Sequence, residues 1–416
     1  MIPIKVIGQG LPGGTAGEPR SPAAAALQYL QPGALNLTAL PPLSLYVHWP
    51  WCVRKCPYCD FNSHEGKGEL PEKEYLDALR LDLEQSLPLI WGRKIHTVFI
   101  GGGTPSLMSA AGLDRLMSDL RTLLPLEMDA EITMEANPGT FEAERFKSYR
   151  ESGINRLSIG IQSFNPAHLK ALGRIHDGDE ALRAVEIAKN TFDNFNLDLM
   201  YALPSQTLIE ARRDLETALA FAPPHLSLYH LTMEPNTVFA KYPPSLPDDD
   251  LSADMQDMIA EVTGAAGYDH YEVSAYAKAG RRARHNLNYW QFGDYLGIGA
   301  GAHSKISFPH RVLRQARYKQ PASFIEAAKR GNPVQEEHEI GRADMGFEFM
   351  LNTLRLTGGF DPNLFGERTG MSINTITKSL NDAEAKGLIY RDHKLIKPTE
   401  LGQRFLNDLQ EIFLAE

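Results

Sequence analysis

The sequence predicts an α/β chain: a partial or full (β/α) barrel followed by a smaller, winged-helix-like α+β domain. Two observations carry the prediction. From Leu43 onward, short apolar runs ending in Gly or polar residues alternate with stretches whose apolar residues recur at helical spacing. Near residue 342 the alternation stops, and three helical stretches lead into a two-stranded hairpin. Strands alternating with helices make a parallel sheet with crossover helices. Six or more such units fit a barrel, in which the C-terminal strand ends carry the chemistry.

Residues 1–42 are expected to form a flexible Pro/Gly/Ala-rich leader. Residues 1–43 hold seven Pro and six Gly, a composition that need not pack. The predicted barrel spans 43–310. Its strands are expected at 43–49, 95–103, 130–138, 154–164, 195–204, 225–235, 268–277 and 294–304. Amphipathic helices are expected at 72–90, 108–124, 177–191, 207–221 and 249–266. Residues 311–341 read as a connecting segment. The last domain, 342–416, supplies helices at 342–355, 361–368 and 373–386, then LIYRD and KLIKP as a hairpin, and a final helix from Thr399.

Charge narrows the partners. Lys and Arg number 42 and Asp and Glu 52, a net charge of −10, so the chain lacks the global field that gathers nucleic acid or anionic lipid. The winged-helix-like domain carries nine basic against eleven acidic residues, which points to protein contact rather than a DNA groove. The N-terminus lacks a signal-peptide pattern, and no run of 18 apolar residues spans a membrane. The protein is expected in the cytoplasm, with peripheral docking at the inner face of a membrane left open.

The three cysteines, Cys52, Cys56 and Cys59, fall within eight residues. An odd count this close cannot build a disulfide framework and suits a reducing compartment. Zinc closes with four ligands, so a zinc site would need His48 or His64. Three thiolates can instead hold an iron–sulfur cluster with one iron open. Further polar residues close successive strands: the glycines of Gly101-Gly102-Gly103-Thr104-Pro105, then Glu135 and Asn137, Gln162 and Asp198, with Arg174 just beyond. Together they offer acceptors for a ribose and an ammonium, a donor for a carboxylate, and glycines that let backbone approach a ligand.

The linked motifs Y-x-H-x-P-x-C-x3-C-x-Y-C, GGGTP, ExNP, GxQSF, LGRxH and DLMYxLP resemble the radical S-adenosylmethionine (SAM) superfamily. Within it the resemblance is to the oxygen-independent coproporphyrinogen III oxidase-like family, over about residues 40–415. It implies that Cys52, Cys56 and Cys59 hold a [4Fe-4S] cluster. It also implies that Tyr46, Gly102, Gly103, Thr104, Glu135, Gln162, Arg174 and Asp198 surround SAM. The oxidases carry a fourth cysteine two positions after the third, where this chain has Phe61. CPYCDFNSH, together with His285-Asn286-Leu287-Asn288-Tyr289-Trp290, is instead similar to the HemW haem-chaperone branch.

That branch implies haem as ligand, contacts from His285, Asn286, Tyr289 and Trp290, and delivery to recipient haemoproteins, membrane respiratory enzymes among them. Arg281, Arg282 and Arg284 would pair with haem propionates. On the residues alone, the same motif reads as a capped strand–helix junction with core aromatics. The alternative function is a radical enzyme acting on coproporphyrinogen. The sequence does not settle homodimer formation, the axial haem ligand or SAM cleavage.

Overall fold

The computed structural model describes residues 35–139 and 143–415. Most of the expected leader, 1–34, lies outside the described residues. Twelve strands build one sheet: β1 (Leu43–Trp49), β2 (Ile95–Gly102), β3 (Leu126–Ala136), β4 (Arg156–Gln162), β5 (Phe195–Tyr201), β6 (His225–His230), β7 (Asp269–Glu272), β8 (Ala275–Ala277), β9 (Asp294–Ile298), β10 (His303–Phe308), β11 (Arg311–Arg317) and β12 (Val334–Glu339). Their order is β12-β11-β10-β9-β1-β2-β3-β4-β5-β6-β8-β7. The seven strands from β9 to β6 are parallel, and antiparallel pairs extend both edges. The sheet is therefore open, the partial form of the expected barrel.

Period-two alternation sorts each parallel strand between two faces. Leu43, Leu45, Val47 and Trp49 of β1 join the main apolar core. Ser44, Tyr46 and His48 point the other way, to an inner face that also takes Thr97 and Phe99 of β2. The outer face is covered by helices. These are α1 (Glu72–Ser86), α2 (Ala110–Leu123), α3 (Ala143–Ser152), α4 (Pro166–Ala171), α5 (Gly178–Thr191), α6 (Leu208–Ala220) and, beyond α7 (Val238–Lys241), which packs instead against Pro57 and Tyr58, α8 (Asp249–Ala265). In α1 the residues Tyr75, Leu76, Leu79 and Leu83 form the buried stripe. Capping boxes at Asp177–Glu180 and Thr207–Glu210 start α5 and α6 where the sequence changes from loop to amphipathic pattern.

A short helix, α9 (Arg284–Trp290), crosses the N-terminal ends of the strands and forms the floor of the inner face. Residues 311–341, expected as a connector, instead hold β11, α10 (Pro321–Lys329) and β12. The connector reading missed them because VQEEHE of β12 is exposed along most of its length and shows no apolar alternation. Arg317 of β11 is fully buried, ion-paired with Asp82 of α1 at 3.2 Å.

The last module comprises α11 (Met345–Thr353), α12 (Asn363–Thr369), α13 (Thr377–Ala385), a hairpin of 389–391 and 396–398, then α14 (Glu400–Arg404) and α15 (Leu406–Glu411). Its core of Phe349, Phe360, Phe365 and Leu409 also takes Phe292 from the loop after α9, and Leu35 and Leu37 from the segment before β1. Gly370, at φ 67°, receives Asn36: a Cβ there would meet the Asn36 nitrogen at 2.6 Å, and Asn36 N donates to Gly370 O at 3.2 Å.

Candidate cofactor site

The cysteine loop leaves the C-terminal end of β1 and is laid onto the glycine turn that ends β2. Gly103 N donates to Trp49 O at 2.6 Å, and Thr104 N to Trp51 O at 2.7 Å. A Cβ on Gly102 would come within 2.5 Å of the His48 ring, and one on Gly103 within 2.5 Å of Trp51 O. Gly102 also sits at φ 116°, outside the range of L side chains. The close approach that the glycines permit is thus to the cysteine loop's own backbone. Register supports it, since Trp49 lies opposite Gly102.

Beyond the cysteines the loop is tied at three points. Lys55 Nζ donates to Phe61 O at 2.9 Å and Ser63 O at 3.3 Å. Phe239 N donates to Pro57 O at 3.0 Å. His48 Nε2 donates to Asn62 O at 2.9 Å, which fixes the tautomer and makes Nδ1 the acceptor of Tyr46 O–H at 3.0 Å. Burial lowers the His48 pKa to about 4, so the ring is neutral. With both nitrogens engaged, His48 is a structural tie rather than a fourth metal ligand.

Cys52, Cys56 and Cys59 are free and partly exposed. Burial pushes the Cys52 and Cys59 thiols upward, and the neighbouring thiols add to the rise. Among the described residues, no group of three or more His, Cys, Asp and Glu is gathered as a closed metal cage. Three thiols on one short loop, with Phe61 39% exposed two positions after the third, match the donor number of an iron–sulfur cluster with one iron left open.

Arg174, reached from the loop after α4, bridges the thiols to the strand ends. Its guanidinium lies 3.7 Å from Cys56 Sγ and donates to Asn137 Oδ1 at 2.6 Å and Gly160 O at 2.8 Å. Asn137 Nδ2 donates to Thr104 Oγ1 at 3.1 Å. Gln162 ends β4 at φ 66°, at a break in register with β5, a left-handed conformation that a non-glycine residue holds only when its surroundings enforce it. Below them lie two half-buried carboxyls. Glu135 accepts from Gly102 N at 3.0 Å, and its pKa is raised to about 8, first by burial and then by Asp198. Asp198 accepts from Ser158 Oγ at 2.9 Å and Asn196 Nδ2 at 2.8 Å, and burial raises it too. Arg156 offsets the rise at Asp198 only in part, and two crowded acids favour a ligand that brings positive charge.

The structure thus gathers Thr104, Glu135, Gln162, Arg174 and Asp198 beside the cysteine loop, with Gly102 and Gly103 beneath it and Tyr46 in the adjoining inner face. Sequence reasoning gave no role to Tyr58, Ser158 or Asn196. Tyr58 is packed against Phe239, and burial pushes its hydroxyl pKa well up beside Arg174 and Cys56. Ser158 and Asn196 share the inner face with Asp198, and the i, i+2 spacing of Asn196 and Asp198 on β5 was the available signal.

The haem motif stands at the opposite end of the inner face. His285 is 2% exposed. Thr97 Oγ1 donates to Ser44 Oγ at 2.7 Å, so His285 Nδ1–H donates to Thr97 at 2.8 Å and Nε2 accepts from Tyr289 O–H at 3.1 Å. The ring stacks on Phe99 at 5.0 Å, and burial lowers its pKa to about 3. The expected haem ligand is therefore walled in. Asn286 and Trp290 are half-buried, with the Arg355 guanidinium 4.2 Å from the Trp290 ring. Arg282 and Arg284 hold Asp269 and Asp129, while Arg281 is exposed.

Comparison with known proteins decides the lineage. The radical SAM superfamily model matches residues 46–218, and the HemN C-terminal domain model matches 340–405. The "Heme chaperone HemW" of Escherichia coli (strain K12) is 49% identical over 382 residues, covering 91% of this chain and 100% of that protein. This chain belongs to the HemW family. The HemW protein of Bacillus subtilis (strain 168) is 36% identical and is covered over 99% of its length. Among solved structures, coproporphyrinogen III oxidase (HemN) from Escherichia coli superposes with a TM-score of 0.77 at 24% identity, covering 90% of each chain. That likeness shows that this chain has the same fold. The superfamily match implies a [4Fe-4S] cluster and SAM. No helix among the described residues is long and apolar enough to cross a membrane.

Proposed function

We propose that this chain is a haem chaperone. It carries a [4Fe-4S] cluster with SAM at the open iron, takes up haem, and delivers it to haemoproteins, including respiratory enzymes of the membrane. The reading rests on the match, over nearly their whole length, to proteins named heme chaperone HemW. Phe61 at the position of the oxidases' fourth cysteine supports it. The free thiols suit a cytoplasmic location.

Cys52, Cys56 and Cys59 would hold the cluster, which supplies an iron open to an amino-carboxylate chelate. Arg174 orients the carboxylate end of SAM, Glu135 accepts from its amino group, and Asp198 accepts from the ribose. Half-buried donors and acceptors of this kind position a ligand strongly once it shields them from water. Haem contact through His285 requires α9 to leave its seat, because both ring nitrogens are engaged and the ring is enclosed.

The deciding experiment is anaerobic reconstitution followed by haem titration, with coproporphyrinogen III, SAM and a reductant supplied in parallel. Haem binding without conversion supports the chaperone; sustained protoporphyrinogen formation refutes it.

A further inference from the structure

A line of hydrogen bonds joins the cofactor site to the floor helix, and every donor in it points the same way. Ala283 N, at the start of α9, donates to Tyr271 Oη at 3.2 Å. Tyr271 O–H donates to His225 Nε2 at 2.8 Å. His225 Nδ1–H donates to Asn196 Oδ1 at 2.6 Å, and Asn196 Nδ2 donates to Asp198 Oδ1 at 2.8 Å. An ionised carboxylate only accepts. Asp198 therefore sets the sense of the line: the Asn196 amide orientation, the His225 tautomer and the Tyr271 rotor all follow from it. Asn196, His225 and Tyr271 are at most 3% exposed, so water does not replace a broken link.

A second route runs beside it. The rings of Tyr46, Phe99, His285 and Tyr289 succeed one another at 6.3, 5.0 and 4.9 Å. Both routes begin at residues assigned to SAM and end on α9.

We propose that the line from Asp198 to Ala283 couples ligand engagement at Asp198 to the seating of α9, so that SAM occupancy sets how readily the His285 face is released. This rests on the reading that Asp198 meets SAM and that α9 meets haem. A ligand hydroxyl donating to Asp198 competes with Asn196 for the carboxylate. Buried hydrogen bonds in series polarise one another, so the change is felt at Ala283 N. His225 and Tyr271 are positioning residues in this scheme and touch neither ligand.

The test is hydrogen–deuterium exchange of segment 283–291 in the anaerobic, cluster-loaded full chain, with and without SAM. Exchange in that segment is expected to change by about fivefold or more on SAM addition, the lower end of couplings between sites. In Tyr271→Phe, which keeps the ring and breaks the line, SAM should bind with unchanged affinity while segment 283–291 no longer responds. Identical wild-type exchange with and without SAM overturns the proposal without need of any variant. So does an equal response in Tyr271→Phe, or loss of SAM binding by that variant. No haem enters the measurement, so a failure of the haem assignment is read separately, in the haem titration.

Discussion

Tyr289 Oη lies 3.1 Å from His285 Nε2 and, one helical turn away, caps the nitrogen that haem iron would need. The other nitrogen is held by Thr97 on β2. The pair makes His285 a fastener of the floor in the structure as it stands, whatever it does once α9 moves.

His285→Ala should therefore lower stability by roughly 2–4 kcal/mol, the cost of a buried cavity plus lost hydrogen bonds. Denaturant midpoints measure it. A variant as stable as wild type would remove His285 from the floor, and a haem titration on the same sample reads its part in binding independently.

Gly102→Ala should strip the cysteine loop from its support. The new methyl would stand 2.5 Å from the His48 ring at φ 116°, a strain on the order of 1–3 kcal/mol from backbone alone. Iron and sulfide per chain after reconstitution should fall well below wild type. Full iron content would show that the glycine turn does not set the loop.

Cys52→Ser, Cys56→Ser and Cys59→Ser should each abolish the cluster's visible absorbance. Far-ultraviolet circular dichroism should be unchanged, because the three thiols are partly exposed and outside the apolar cores. A retained cluster in any single variant would exclude that thiol as a ligand.

Glu135 makes the site pH-dependent. Its folded pKa of about 8 exceeds the ordinary 4.5, so the ligand-free fold keeps a proton that the unfolded chain releases. That contribution is fully present below pH 4.5 and is lost as pH rises to about 8, on the order of 5 kcal/mol in all. An amino group that donates to Glu135 favours the ionised form, so SAM affinity should rise towards tenfold per pH unit below 8 and level off above it. Glu135→Gln should flatten both dependences while weakening SAM. A pH-independent affinity in wild type would contradict the assignment of Glu135 to the SAM amino group.

Much of the site was legible in the sequence because its residues end strands, where alternation gives way to Gly, Pro and polar side chains. Glu135 and Gln162 are placed by that rule, whereas Asp198, expected at a strand end, stands in the middle of β5. The glycine triplet was legible as a close approach, but its neighbour was not, since the Trp49–Gly102 register is a property of the folded sheet. The floor role of α9 was hidden for a similar reason. His285, Asn288 and Tyr289 engage Ser44, Thr97 and Tyr295, partners up to 244 positions away. Strand β12 was missed because its exposed edge residues carry no apolar period, and β11 because Gln315 and Arg317 put polar side chains at buried positions.

Leu35 and Leu37, buried among Phe365, Met371 and the rest of the last module's core, give that module an unusual dependence on the order of synthesis. A core that closes residues 35–37 against residues 345–413 has high contact order and pays a large loop-closure entropy. The two leucines leave the ribosome early and wait, solvent-facing, until the final helices emerge to enclose them. A fragment cut at residue 342 would lack both and would also lose Phe292, leaving an apolar gap and a tendency to associate. Removing the short stretch before β1 is then an injury to the opposite end of the polypeptide, felt during translation rather than at the cofactor.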